Sequence, residues 1–228
     1  MPSELIDKKM NAVMWKDITI LKRSKGSFVF SIIIGLFIAV STLISIDKFQ
    51  QSFSNLILLI PLVVGFNLNN KIFFMEISDR SIESILATHF SVKKILLTKS
   101  ILLTFISILF GWGILFLSTI ISWFMYNQIV IPNITNLIIF AITIPFIFSI
   151  EGLVGTCYWV FPNITVATLI NGVIFVFSVL FLSLSSVFLS YSLRWMVITI
   201  LIISVILISI FFGIMNKIDK EKVALTRL

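Results

Sequence analysis

Long apolar runs alternate with short polar breaks along the whole chain. Six runs approach the ~20 apolar residues needed to cross a hydrocarbon core. They predict membrane-spanning helices at Ser27–Ile46, Phe53–Met75, Ser100–Tyr126, Asn136–Val160, Thr165–Phe188 and Trp195–Ile214. Pro145 and Glu151 interrupt the fourth run, and a short re-entrant segment near Leu182–Leu189 is an alternative reading of the fifth. Ahead of the first run, Met10, Met14, Ile18 and Leu21 recur at helical spacing with Trp15 beside them. Lys9, Lys16, Lys22 and Arg23 lie off that stripe. Residues 1–26 therefore predict an amphipathic helix in the membrane interface, with Trp at headgroup depth and Lys snorkelling. They lack the early apolar core and small-residue cleavage site of a signal peptide.

The longest polar break, residues 76–99, reads EISDRSIESILATHFSVKKILLTK. Ile82, Ile85 and Leu86 fall at i, i+3 and i+4 and share a face, and His89 and Phe90 continue it one turn later. Asp79 is placed to cap a short helix, with Glu83 near its positive end. Ser91 offers a second N-cap before the next span. The pattern predicts a short amphipathic helix on a membrane surface; a plain loop resting on lipid remains the alternative.

Composition agrees with a multi-pass protein. The chain is 59% hydrophobic and 12% charged, with a mean hydropathy of +1.15, against about 25% charged residues in soluble domains. Its 228 residues make a single all-α bundle of six transmembrane helices. Of the 17 basic residues, all but Lys48 and Arg194 fall in the N-terminal stretch, the 76–99 break with its flank, and the tail at 215–228. By the positive-inside rule these segments, and both termini, are cytoplasmic. The net charge of +7 then reflects topology and anionic lipid rather than nucleic acid.

Chemistry-bearing motifs are absent. No GxxxxGK[ST], HExxH or GxSxG occurs, and one Cys and one His build neither a disulfide nor a zinc site. No catalytic or metal-ligating set is predicted. Glu151 is the one acid inside a predicted span. It lies ~22 Å down the fourth run, close to the inner headgroups. That depth suits snorkelling or capping, the alternative being a place on a transport pathway. Asn67, Asn69, Asn70 and Asn171 are expected to bond between helices. Gly111, Gly113, Gly152 and Gly155 are expected to permit close helix packing.

The 76–99 segment resembles the signature of ABC-2 type transporter permeases. Glu76 stands where that family has its first Glu, Arg80 its Arg and Glu83 its second Glu. Ile85, Leu86, Ala87 and Thr88 stand at its apolar run and Lys99 at its Lys, while Ser81 replaces the usual Gly and His89 the usual Pro. The resemblance implies a coupling helix that docks on an ATPase subunit, with Glu76, Asp79, Arg80, Ile82, Glu83, Ile85, Leu86, His89, Phe90 and Lys99 serving that contact. It implies that the N-terminal helix is a connecting helix, where the residues alone admit a simple anchor. It also implies that ATP and Mg bind the partner rather than this chain, which is no enzyme itself. A second permease copy, or a related one, completes the pathway in a prokaryotic cell membrane. Spans poor in ionisable groups suit a hydrophobic or amphipathic substrate, a membrane-active peptide above all. A secondary transporter or channel using Glu151, and a non-transport immunity or sensor subunit, are the rival expectations.

Overall fold

In lipid, backbone N–H and C=O groups must find partners within the chain, so apolar runs of this length become helices. The computed structural model describes residues 14–23, 25–43, 46–79, 91–127, 134–191 and 193–218, and these are almost wholly helical. The helices are α1 (Met14–Arg23), α2 (Lys25–Ser41), α3 (Ile46–Ser78), α4 (Val92–Tyr126), α5 (Ile134–Val160), α6 (Ile164–Tyr191) and α7 (Leu193–Lys217). Five of them, α3 to α7, are long and apolar enough to cross a membrane. A sixth crossing requires α1 and α2 to be taken as one span broken by a 79° bend.

The helix limits differ from the sequence expectation in three places. α2 stops at Ser41, short of Ile46, where the Ser41 and Thr42 hydroxyls donate to the carbonyls of Ile38 and Ala39. α3 and α4 run long, at 33 and 35 residues. Each is therefore ~50 Å, against a hydrocarbon thickness of ~30 Å, so their ends project beyond the apolar layer. α6 is continuous through 182–189, with no re-entrant break. Ser91 does N-cap α4, its side chain accepting from the Lys94 N–H. At the far end Asn127 closes the helix in the left-handed conformation. Asn163 similarly begins α6, its side chain accepting from the Thr165 N–H.

α3 and α5 form the centre. About two-thirds of the apolar window of α3 (67%) and of α5 (61%) is buried, but only 17% of α6 and of α7. α5 packs against α3, α4, α6 and α7, while α3 also carries α2. Close approach rests on small residues. α4 turns Ser100, Thr104, Ser107, Gly111 and Ser118 inward, and the hydroxyls of all four Ser and Thr residues fold back onto carbonyls of their own helix. Gly111 lies against the ring of Pro61, whereas Gly152 and Gly155 seat the rings of Phe211 and Phe73. The asparagines link helices as expected. Asn67 donates to Ser31, Asn70 accepts from Tyr158 and Asn171 donates to the Val154 carbonyl. Phe37, Phe105, Phe116, Phe124 and Phe177 face outward, as suits a surface whose solvent is lipid.

Candidate functional site

α4 buries a lysine. Ile95, Leu96, Lys99 and Leu103 lie along one inward face, so the side chain of Lys99 enters the bundle with theirs. Its ammonium is fully buried and donates to the Asp17 carboxylate of α1 at 2.7 Å and to the Glu76 carboxylate of α3 at 2.6 Å. The same Nζ stands 5.4 Å from the ring centre of Phe73, a favourable cation–π placement. Lys16, half buried, lies 3.9 Å from Glu76. Two carboxylates and two ammoniums therefore balance. This matters because an isolated ion costs several kcal/mol to bury, whereas a paired and hydrogen-bonded one recovers most of that cost.

The cluster draws together three elements distant in sequence: α1, the last turn of α3 and the second turn of α4. The latter two flank residues 80–90, and Asp79 is exposed at the junction, its N–H bonded to the Met75 carbonyl. Of the residues read as coupling contacts, Arg80, Ile82, Glu83, Ile85, Leu86, His89 and Phe90 lie outside the described residues. Glu76 and Lys99 correct the expectation of direct contact with a partner. Both are buried against each other and offer no side chain to a soluble subunit in this arrangement.

The N-terminal helix meets the bundle through a face other than its Met14–Ile18 stripe. Met10 lies outside the described residues; Met14 and Ile18 are only partly covered, and Trp15 is exposed beneath Lys22 in a cation–π contact. The face that docks is Asp17–Leu21, an i, i+4 pair, with Ile20 packed beside it. Asp17 was the residue missed. The available signal was a lysine interrupting the apolar face of α4, which called for an acid opposite.

Burial pushes the Asp17 carboxyl up to about 6, against the opposing pull of Lys99 and with a further push from Glu76. Burial likewise lowers Lys16. Because the docked Asp17 holds its proton more tightly than a free aspartate, docking takes up a proton between pH ~4 and ~6. The gain in attachment of α1 is thus full below pH ~4 and is lost as pH rises through about 6. A nitroxide on Thr19 reads this directly: its immobilised fraction is expected to be larger at pH 5 than at pH 7.5. The opposite trend would refute the assignment.

A second polar site lies deeper. Glu151 of α5 is 1% exposed and accepts from the Asn69 side-chain amide of α3, which also donates to the Glu151 carbonyl. Gly65 and Ser107 complete its surroundings. This corrects the snorkelling expectation: the carboxyl points into the bundle. Asn69 precedes Glu76 by seven residues and Ser107 follows Lys99 by eight, so the two sites are ~10–12 Å apart along the helices. No group of His, Cys, Asp and Glu suited to a metal occurs among the described residues. Comparison with protein-family models, curated proteins and solved structures finds no match to the chain.

Proposed function

We propose that the chain is the membrane subunit of an ATP-driven exporter of the ABC-2 permease type. The observation that carries this reading is the Asp17–Lys99–Glu76 cluster. It locks α1 to the ends of α3 and α4, the two helices that bracket the segment resembling a coupling helix. A force applied to residues 80–90 by a soluble partner would reach three helices as one body. In this mechanism a separate ATPase subunit binds ATP and Mg and closes. The 80–90 segment transmits that closure, and the bundle alternates between inward- and outward-facing arrangements. Glu76 and Lys99 act by bracing the segment rather than by touching the partner. A second permease copy or a relative encloses the pathway across a prokaryotic cell membrane, with both termini cytoplasmic.

Support for the substrate class comes from the spans and the outward surface, which are overwhelmingly apolar. A hydrophilic glycan would leave polar groups unpaired there, at ~1–3 kcal/mol each. A membrane-active amphipathic peptide entering from the leaflet would not. A second reading, a proton- or ion-driven carrier, rests on the buried carboxyl of Glu151.

Reconstitution separates the two. The chain is expected to co-purify with an ATPase subunit whose hydrolysis rises with amphipathic peptide. Leu86→Asp would bury an unpaired charge in the contact and is expected to cost at least ~2 kcal/mol, roughly thirtyfold in affinity. Transport without any ATPase, driven by a proton gradient, would refute the exporter reading.

A further inference from the structure

Glu151 is the one described carboxyl at the core of the bundle with no cation beside it. Asp17 and Glu76 share Lys99, but Glu151 has only neutral neighbours. The helices packed on α5 carry Asp47, Lys48, Lys71 and Glu76 on α3, Lys93, Lys94 and Lys99 on α4, and Arg194 and Lys217 on α7, with no charged residue on α6. None of these lies beside the Glu151 carboxyl, whose neighbours are Asn69, Ser107 and Gly65.

The hydrogen-bond directions decide the chemistry. The Asn69 amide already donates to Glu151 Oε2 and to the Glu151 carbonyl. The other oxygen, Oε1, is buried with no donor aimed at it. The Ser107 hydroxyl donates to the Leu103 carbonyl, a bond it would have to give up in order to donate to Oε1. What Ser107 offers is an acceptor lone pair. Oε1 and Ser107 Oγ lie together over Gly65, where a Cβ would overlap both. A carboxylate here would place its charge against an acceptor with no counter-ion, whereas a carboxylic acid would donate from Oε1 to Ser107 Oγ and accept at Oε2 from Asn69. Every polar group then has a partner except Asn69 Oδ1.

We propose that Glu151, Asn69, Ser107 and Gly65 form a proton-binding site, in which Glu151 is a carboxylic acid while α3, α4 and α5 are packed together. Separation of these helices admits water. Glu151 then gives its proton to that water, leaving a carboxylate and a hydronium ion, and repacking reverses the step. Opening of the bundle is therefore linked to proton release and is favoured by higher pH. The site is independent of the energy source, so an ATP-driven exporter would contain it as readily as a carrier.

Infrared spectroscopy of the full chain in lipid nanodiscs at pH 7 tests this. Subtracting the Glu151→Gln spectrum from that of the native chain is expected to leave the C=O band of a protonated carboxylic acid. Glutamine keeps the shape and both hydrogen bonds, so that variant is expected to fold with an unchanged or higher thermal midpoint. Ser107→Ala is expected to retain the band but shift it to higher frequency, as the acid loses its acceptor. A difference spectrum containing carboxylate bands and no acid band at pH 7 would overturn the proposal, as would a Ser107→Ala band at the native frequency. Neither result depends on whether an ATPase partner exists.

Discussion

Lys99→Ala is expected to lower the thermal midpoint of the purified chain by on the order of 10 °C and to free the N-terminal helix. The substitution removes the ammonium that both Asp17 and Glu76 contact, leaving two buried carboxylates facing each other with only Lys16 nearby. Breaking a buried pair by deleting one partner costs ~3–5 kcal/mol, and each kcal/mol shifts the midpoint of a chain this size by ~2–4 °C. Replacing the whole group behaves differently. The triple variant Asp17→Leu, Glu76→Met, Lys99→Met removes the three fully buried charges together and leaves only half-buried Lys16, whose long chain can turn to water; such exchanges are commonly neutral or stabilising. It is expected to recover the midpoint while losing the pH dependence of α1 docking. A Lys99→Ala chain that melts with the native one would show that the cluster holds nothing together.

The contrast between the single and triple variants bears on why the charges are there. If stability were the only demand, apolar residues would serve as well. A charged cluster makes the joint between α1, α3 and α4 directional and reversible. Those are the properties required of a joint that must hold through some arrangements and yield in others. This is consistent with the transmission role proposed above.

Much of the fold was legible because the bilayer leaves few choices. Runs of twenty apolar residues become helices, and the asparagines of α3 bond across to α2 and α5 as buried amides must. Glu76 and Lys99 stood out in the sequence only as positions in a motif. Their mutual pairing needed the third dimension. Hydrophobic periodicity picked out the Met14–Ile18 stripe as the face in the membrane interface because it scores apolar area. It could not register that Lys99, seventy-six residues after Arg23, supplies a counter-charge for Asp17. Depth along a single helix misled in the same way for Glu151. Counting residues from one end located it near headgroups, but whether a carboxyl meets water depends on what the neighbouring helices present at that level. Here they present Asn69, Ser107 and the bare backbone of Gly65.

Gly65→Ala tests how tightly that level is built. In an exposed helix interior, alanine for glycine stabilises by up to ~1 kcal/mol through backbone entropy. That gain is expected at Gly213, where an added Cβ meets nothing within 4 Å. At Gly65 the same methyl would overlap Glu151 Oε1 and Ser107 Oγ and press on Ser107 Cβ at 3.0 Å. The Glu151 side chain is long enough to move, but the Asn69 amide is its donor, and any displacement strips a buried polar group of its partner. Overpacking costs ~1–3 kcal/mol and a stranded buried polar group a further ~1–3 kcal/mol, so the loss outweighs the entropic gain. Gly65→Ala is therefore expected to lower the thermal midpoint by roughly 5–10 °C, using the same scaling as for Lys99, while Gly213→Ala leaves it equal or higher. In a Glu151→Ala background the overlap with Oε1 disappears, and the penalty of Gly65→Ala should shrink by more than half. Additive effects of the two substitutions would mean that Gly65 and Glu151 do not share a site.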